Sequence, residues 1–341
     1  MGSDKIVISG MGIVSALGCG VEQTLAGLRD GTRNAGPVTL FDSLIRKPAF
    51  QAPEIDVRWR RDKARTQSLA LAAAAQALSQ ARLPVASLRV GVCMGTTVAC
   101  QLNDIEFYAR YRRDGEAPMD AADRYFTGNP ADVIAREFGF SGPTLTVVNA
   151  CSSGTDAIGI AMSWLESGRC DAVVAGGADE LNRVPYAGFN SLGVYSDEPC
   201  MPFDRNRSGL NLGEGAGVLV LEKRSTADAR GADTDLHCLA YATFADAWHL
   251  TAPASDGASL ERAIRKALSY AGIGIDEVDM VNAHGTATMN NDLVEGNTLA
   301  RIFGNSTPVS STKGYTGHTL GAAGGIEAIM CALALRTGWV P

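Results

Sequence analysis

Val147-Val148-Asn149-Ala150-Cys151-Ser152-Ser153-Gly154-Thr155 is the stretch on which the fold turns. Leu145 to Val148 read as a buried strand, and Asp156 to Glu166 carry apolar residues at helical spacing, so Cys151 falls on a strand-to-helix turn. A thiol there faces the positive end of a helix, where unpaired N–H groups and the helix dipole favour the thiolate, the form that attacks carbon. A free cysteine is also at home as a small buried hydrophobe. On position alone both readings stay open.

Outward from that turn the chain alternates strand and helix. Upstream, Ile6 to Ile8 form a first strand, Thr66 to Ala81 an alanine-rich helix, Val90 to Met94 a strand, and Ala131 to Phe138 a helix. Downstream come a strand at Asp171 to Ala175, a loop-rich passage over residues 178–213, and a strand at Val218 to Leu221. The remainder repeats this grammar: strands near 236–244, 278–283 and 308–311, with helices near 258–271, 292–303 and 321–336. Two similar α/β halves are expected, residues 1–225 and 226–341. In this alignment Cys151 corresponds to Lys313-Gly314-Tyr315-Thr316-Gly317-His318 before the last helix. The first half ends with two strands after its cysteine helix and the second with none, so the last strands of the second sheet are expected to be missing.

Composition narrows the function. The 341 residues are 46% hydrophobic and 20% charged, with 38 glycines, which fits a compact α/β enzyme. A net charge of -7 argues against nucleic-acid binding. The eight cysteines include no C-x-x-C pair and read as reduced thiols of a cytoplasmic protein. No signal segment or uninterrupted membrane-spanning apolar run is expected. Gly10-Met11-Gly12-Ile13-Val14-Ser15 imitates the start of a dinucleotide fingerprint, but Asp30 lies at the end of a helix rather than of a second strand, so a nicotinamide oxidoreductase is the weaker reading. Of four histidines, His284 and His318 lie in small-residue turns past strand ends, where α/β sheets gather ligands. Their spacing with the cysteines matches no familiar zinc pattern. Arg58-Trp59-Arg60-Arg61-Asp62-Lys63-Ala64-Arg65 is a basic run in an acidic protein, placed at a helix start that prefers the opposite sign, and suggests an acidic partner.

Taken together, Asn149-Ala150-Cys151-Ser152-Ser153, His284-Gly285-Thr286-Ala287-Thr288 and Ser311-Thr312-Lys313 to Gly317-His318 resemble the motifs of elongating β-ketoacyl synthases, the thiolase-fold condensing enzymes of fatty-acid and polyketide synthesis. The resemblance extends over nearly the whole chain and implies a duplicated five-layer αβαβα sandwich. It implies that Cys151 takes an acyl group from an acyl carrier protein, and that His284 and His318 stabilise the enolate formed as malonyl thioester loses carbon dioxide. Lys313, paired with Glu327, would set the local field, and Thr286 and Thr288 would bind the pantetheine arm. Small residues Gly128 and Ala131 would border the acyl pocket. Arg58, Arg60, Arg61, Lys63, Arg65, Arg205 and Arg207 would dock the carrier. No metal or resident cofactor is implied; the partners are the carrier and a second subunit, identical or related. Two histidines with Lys313 distinguish the chain from initiating synthases and thiolases. The family's Gly-Phe-Gly-Gly segment, absent before Pro341, reinforces the expectation of a shortened second half and leaves a non-catalytic partner subunit as the rival reading.

Overall fold

The computed structural model describes residues 4–60, 64–97, 105–120, 123, 127–232 and 234–341. Its centre is a seven-stranded mixed sheet. The strands are β1 (Ile6–Ser15), β2 (Gly18–Cys19), β3 (Val90–Gly95), β4 (Thr144–Val147), β5 (Ala172–Asp179), β6 (Gly215–Lys223) and β7 (Leu236–Cys238). They run in the order β2-β1-β6-β5-β3-β4, with β7 on the outer side of β1. Pairs β3–β4 and β3–β5 are parallel, whereas β1–β6 and β5–β6 are antiparallel.

Every residue of β1, β3 and β5 is buried, because helices cover both faces of the sheet. Alternation sorts the side chains. Val218 and Val220 meet the alanine face of α2 (Arg65–Ala81), together with α3 (Pro130–Phe138). Leu219 and Leu221 meet α4 (Ser153–Glu166) and α7 (Ala323–Thr337). The result is a three-layer α/β/α core. At 18 residues and mean hydropathy 1.3, Leu320–Thr337 is apolar enough to suit a bilayer, contrary to expectation, but 67% of it is buried within the protein, as a core helix would be.

Gly10 and Gly12 serve this packing. A Cβ at Gly12 would lie 1.9 Å from the Ala73 carbonyl oxygen, and one at Gly10 2.1 Å from that of Ala77. Both glycines therefore admit α2 against β1. The strand after them turns back as the β1–β2 hairpin, and Asp30 caps α1 (Val21–Arg29). The geometry of a dinucleotide fingerprint is not formed.

Three expectations change. Leu145 is 40% and Val148 64% exposed, because β4 is the edge strand of the sheet among the described residues. The strand near 236 joins the first sheet by pairing Ile6 with Cys238 and Ile8 with Leu236. The passage over residues 178–213 contains a helix, Arg183–Ser191. In the second half, among the described residues, a two-stranded parallel ladder forms between β8 (Val281–Asn282) and β9 (Val309–Ser310). Beside it lie α5 (Ala258–Ala271) and α6 (Met289–Phe303). The architecture is thus α/β, with one complete three-layer unit and a smaller second sheet.

Candidate active site

Cys151 sits where β4 breaks into α4, one residue before the Ser152 N-cap. Ala150 adopts φ +49, a left-handed conformation that bends the chain sharply at this turn. Glycines let the second half reach it. A Cβ at Gly154 would stand 2.7 Å from the Gly321 carbonyl oxygen, and one at Gly325 2.3 Å from that of Gly217. The segment leading into α7 therefore crosses directly over the start of α4. His318 is stitched to the first half by its backbone: its N–H donates to Asn211 (2.8 Å) and its carbonyl accepts from Gly213 N–H (2.9 Å).

These constraints bring His318 Nε2 to 3.0 Å from Cys151 Sγ. The rings of His284 and His318 are 5.2 Å apart and nearly perpendicular, at 87°. Behind them the fully buried Lys313 reaches both Glu327, in an ion pair, and His284 Nδ1 at 3.4 Å. An ammonium has no acceptor lone pair, so Nδ1 of His284 must be the acceptor and its proton resides on Nε2. Among the described residues the buried His318 Nδ1 has no hydrogen-bond partner, which leaves the sulfur to set that ring's tautomer.

Electrostatics modify the first expectation for the thiol. Burial pushes Cys151 up to about 11, with the Lys313 charge acting in the opposite direction. Desolvation thus outweighs the lysine charge, and the resting group is the thiol. Burial, helped by Lys313, lowers His284 to about 3 and takes His318 well below its ordinary value. Both imidazoles are neutral at pH 7 and able to donate one N–H each. Burial likewise raises the Glu327 carboxyl, against the pull of Lys313.

Ligand atoms of Cys151, His284 and His318 lie within 4.8 Å of one another, a clustering that their separation in sequence conceals. As a divalent-cation site it fits poorly, since a buried lysine already stands 3.4 Å from one of the imidazoles. The set suits a developing negative charge better than a cation. Two neutral donors with a cation behind them can stabilise an oxyanion next to a sulfur nucleophile.

Residues 3–227 match the family model for the N-terminal domain of beta-ketoacyl synthase, and residues 237–341 the model for its C-terminal domain. The chain belongs to the beta-ketoacyl synthase family. Among similar proteins, 3-oxoacyl-[acyl-carrier-protein] synthase 2 of Rhizobium meliloti is 35% identical over 369 residues, covering 99% of this chain and 87% of the relative. The enzyme of the same name from Synechocystis is 32% identical over 360 residues, covering 99% and 86%. Of solved structures, the ishigamide ketosynthase/chain length factor superimposes with a TM-score of 0.94 at 34% identity, covering 99% of this chain and 88% of that one. The ketosynthase ApeO in complex with its chain length factor ApeC, from Xenorhabdus doucetiae, gives 0.84 at 32% identity, covering 98% and 85%. The α/β architecture is thus the thiolase-like fold of ketosynthases.

The remaining synthase residues divide into those that converge on the site and those that do not. The hydroxyls of Thr286 and Thr288 lie 2.9 Å apart beside the His284 turn. Gly128 is buried, its carbonyl accepting from Gln67 Nε2 (2.9 Å), and its neighbour Asn129 accepts from Thr146 of β4 (2.7 Å). Arg58 is exposed and stacks on Trp59, with 4.6 Å from guanidinium to ring centroid. Arg205 is exposed. Arg60 ends the short helix Val57–Arg60, its side chain lying outside the described residues, as do Arg61 and Lys63. Arg65 turns inward instead of outward, in a two-pronged pair with the fully buried Glu214 (2.5 and 2.7 Å). Arg207 is also largely withdrawn from solvent: it donates to the Met289 carbonyl (3.1 Å) and stands 3.7 Å from Asp292. Both are committed to the fold, because an acid from a neighbouring element draws each away from the surface.

Sequence reading missed the groups that hold His284. Both carboxylate oxygens of Glu295 accept backbone N–H groups, from His284 (2.6 Å) and Gly285 (2.8 Å). Asp292 accepts from Ala287 N–H (3.1 Å) and from Phe203 N–H (2.6 Å). The available signal was two acids three apart at the start of the helix that follows the histidine turn, where carboxylates reach exposed N–H groups.

Proposed function

We infer that this chain is a 3-oxoacyl-[acyl-carrier-protein] synthase, an acyltransferase that condenses a Cys151-bound acyl group with malonyl-acyl carrier protein. The observation that carries the reading is the 3.0 Å approach of His318 Nε2 to Cys151 Sγ, with His284 completing the donor pair. In the first half-reaction Sγ attacks the thioester carbon. The acyl group passes to Sγ and the thiol proton to the departing pantetheine sulfur, so no net proton is required. Malonyl thioester then enters, and its thioester oxygen faces Nε2–H of His284 and of His318. As the bond to the carboxylate breaks and carbon dioxide leaves, the electron pair moves onto that oxygen, where the two donors and Lys313 stabilise it. The enolate carbon attacks the acyl thioester on Cys151; the bond from the acyl carbon to Sγ breaks, the sulfur leaves as thiolate and takes one proton from solvent to restore the thiol, and a 3-oxoacyl chain two carbons longer is released.

Lys313 and Glu327 act through His284: the ion pair holds the ammonium against Nδ1 and so keeps the reactive proton on Nε2. Thr286 and Thr288 offer hydroxyls to the pantetheine arm, and Gly128 borders the acyl pocket. We assign carrier docking to Arg58 and Arg205, the predicted cations whose exposure supports it, with Arg60, Arg61 and Lys63 alongside in sequence. We further propose two thiolase-like halves, 1–225 and 226–341, in a five-layer arrangement, and a cytoplasmic enzyme working as a dimer with an identical or related subunit. The exposed edge of β4 supports the dimer, since among the described residues no strand pairs with its outer side.

Intact mass after incubation with acyl-loaded carrier protein should increase by one acyl group, and Cys151→Ala should abolish the adduct. His284→Ala and His318→Ala should retain acylation while losing most malonyl decarboxylation. An adduct persisting in Cys151→Ala would overturn the assignment. A chain that neither acylates nor decarboxylates malonyl carrier would favour the rival, a non-catalytic partner subunit.

A further inference from the structure

The turn that carries Cys151 is strained, and part of its restraint comes from the far half of the chain. Ala150 at φ +49 is a non-glycine residue in left-handed backbone, where its Cβ crowds the neighbouring carbonyl. Asp156, buried one turn into α4, faces that bend. Its Oδ2 accepts from Asn149 Nδ2 at 2.6 Å and lies 2.9 Å from Ser152 Oγ, so one oxygen grips both sides of Ala150-Cys151. The other oxygen, Oδ1, accepts the Tyr241 hydroxyl at 2.5 Å. Tyr241 follows β7 and lays its ring over Gly159, where a Cβ would come within 2.2 Å of the ring. Any larger residue at 159 would push the tyrosine off Asp156.

We propose that Asp156 and Tyr241 form a clamp that positions the nucleophile, so that acylation of Cys151 depends on it more than malonyl decarboxylation does. This rests on the synthase reading above. The clamp touches Asn149 and Ser152, whereas His284 is held by Glu295 and Lys313, which belong to other segments. The two half-reactions are therefore served by groups with separate supports. The tyrosine hydroxyl also satisfies the second oxygen of the buried Asp156 carboxylate. Without it Oδ1 loses its partner, and the hold of Oδ2 on Asn149 and Ser152 loosens.

The experiment compares the full chain with Tyr241→Phe, reading Cys151 acylation by hexanoyl-loaded carrier protein and decarboxylation of malonyl carrier. The ratio of the two rates should fall roughly tenfold, the scale of one hydrogen bond to a charged group. Adding Ala150→Gly should recover much of that ratio, because glycine adopts the left-handed conformation without steric cost. Peptide-resolved alkylation of Cys151 by iodoacetamide gives a second measure, its rate at fixed pH changing in Tyr241→Phe and returning toward that of the parent chain when Ala150→Gly is added. An unchanged ratio, or both rates falling together, would overturn the clamp, the second outcome marking a merely structural residue. Absence of any Cys151 adduct in the unsubstituted chain would remove the synthase reading and the clamp with it.

Discussion

Two histidines that stay neutral carry a consequence for stability. In the unfolded chain a histidine titrates near 6.5, whereas in the fold His284 is held to about 3 and His318 well below its ordinary value. Below pH ~6.5 the unfolded chain therefore binds protons that the folded chain refuses. Their stabilising contribution is complete above ~6.5 and is lost as pH falls toward about 3, at roughly 1.4 kcal/mol per pH unit for each histidine. Urea denaturation at pH 7 and pH 5 should show this loss, and a His284→Asn, His318→Asn double variant should show a clearly shallower slope; an equal slope would refute it. At this scale the sequence marked Cys151, His284, His318 and Lys313 by type and motif, and the fold brings their side chains together. It could not supply their protonation states, since those follow from burial, nor reveal that Arg65 in the basic run turns inward to Glu214.

At the scale of elements, the helices and strands were legible wherever apolar periodicity ran long, as in the predicted Thr66–Ala81 helix against the observed Arg65–Ala81. The glycines were legible as special positions but not in their purpose. Gly10 and Gly12 look like a phosphate-binding turn in sequence, yet they are contact points for α2. Gly12→Ala would drive a Cβ to 1.9 Å from the Ala73 carbonyl oxygen, which lies in rigid helix backbone. Helix and strand must separate, with a loss of about 1–3 kcal/mol or more. A chemical-denaturation midpoint lower than that of the parent chain is expected, and an unshifted midpoint would mean that the contact is easily relaxed. Leu145 and Val148 were read as buried because β-branched and apolar runs signal core strands. Their exposure arises from strand order, which periodicity does not encode.

At the scale of the molecule, that exposed edge bears on assembly. β4 ends the sheet next to the Cys151 turn, with Leu145 and Val148 exposed and, among the described residues, no strand paired with its outer side. If a second subunit pairs there, Val148→Asp should weaken the dimer by placing a charge in an apolar interface, and light scattering behind size exclusion should show a shift toward monomer. A dimer indifferent to this change would place the interface elsewhere. The halves themselves interlock rather than stand side by side, since β7 joins the first sheet and α7 packs beneath it.

The sequence by itself determined the α/β class and the order of elements, and marked Cys151, His284, Lys313 and His318 as candidates, because backbone propensity, periodicity and motif chemistry are local properties. Tertiary structure alone decided that 167 positions of separation become a 3.0 Å contact between Cys151 and His318. It also decided that the thiol rests protonated, and that Glu295, Asp292, Asp156 and Tyr241 hold the reacting turns. Desolvation, tautomer and strain depend on which atoms surround a group, and those neighbours come from segments far apart in the chain.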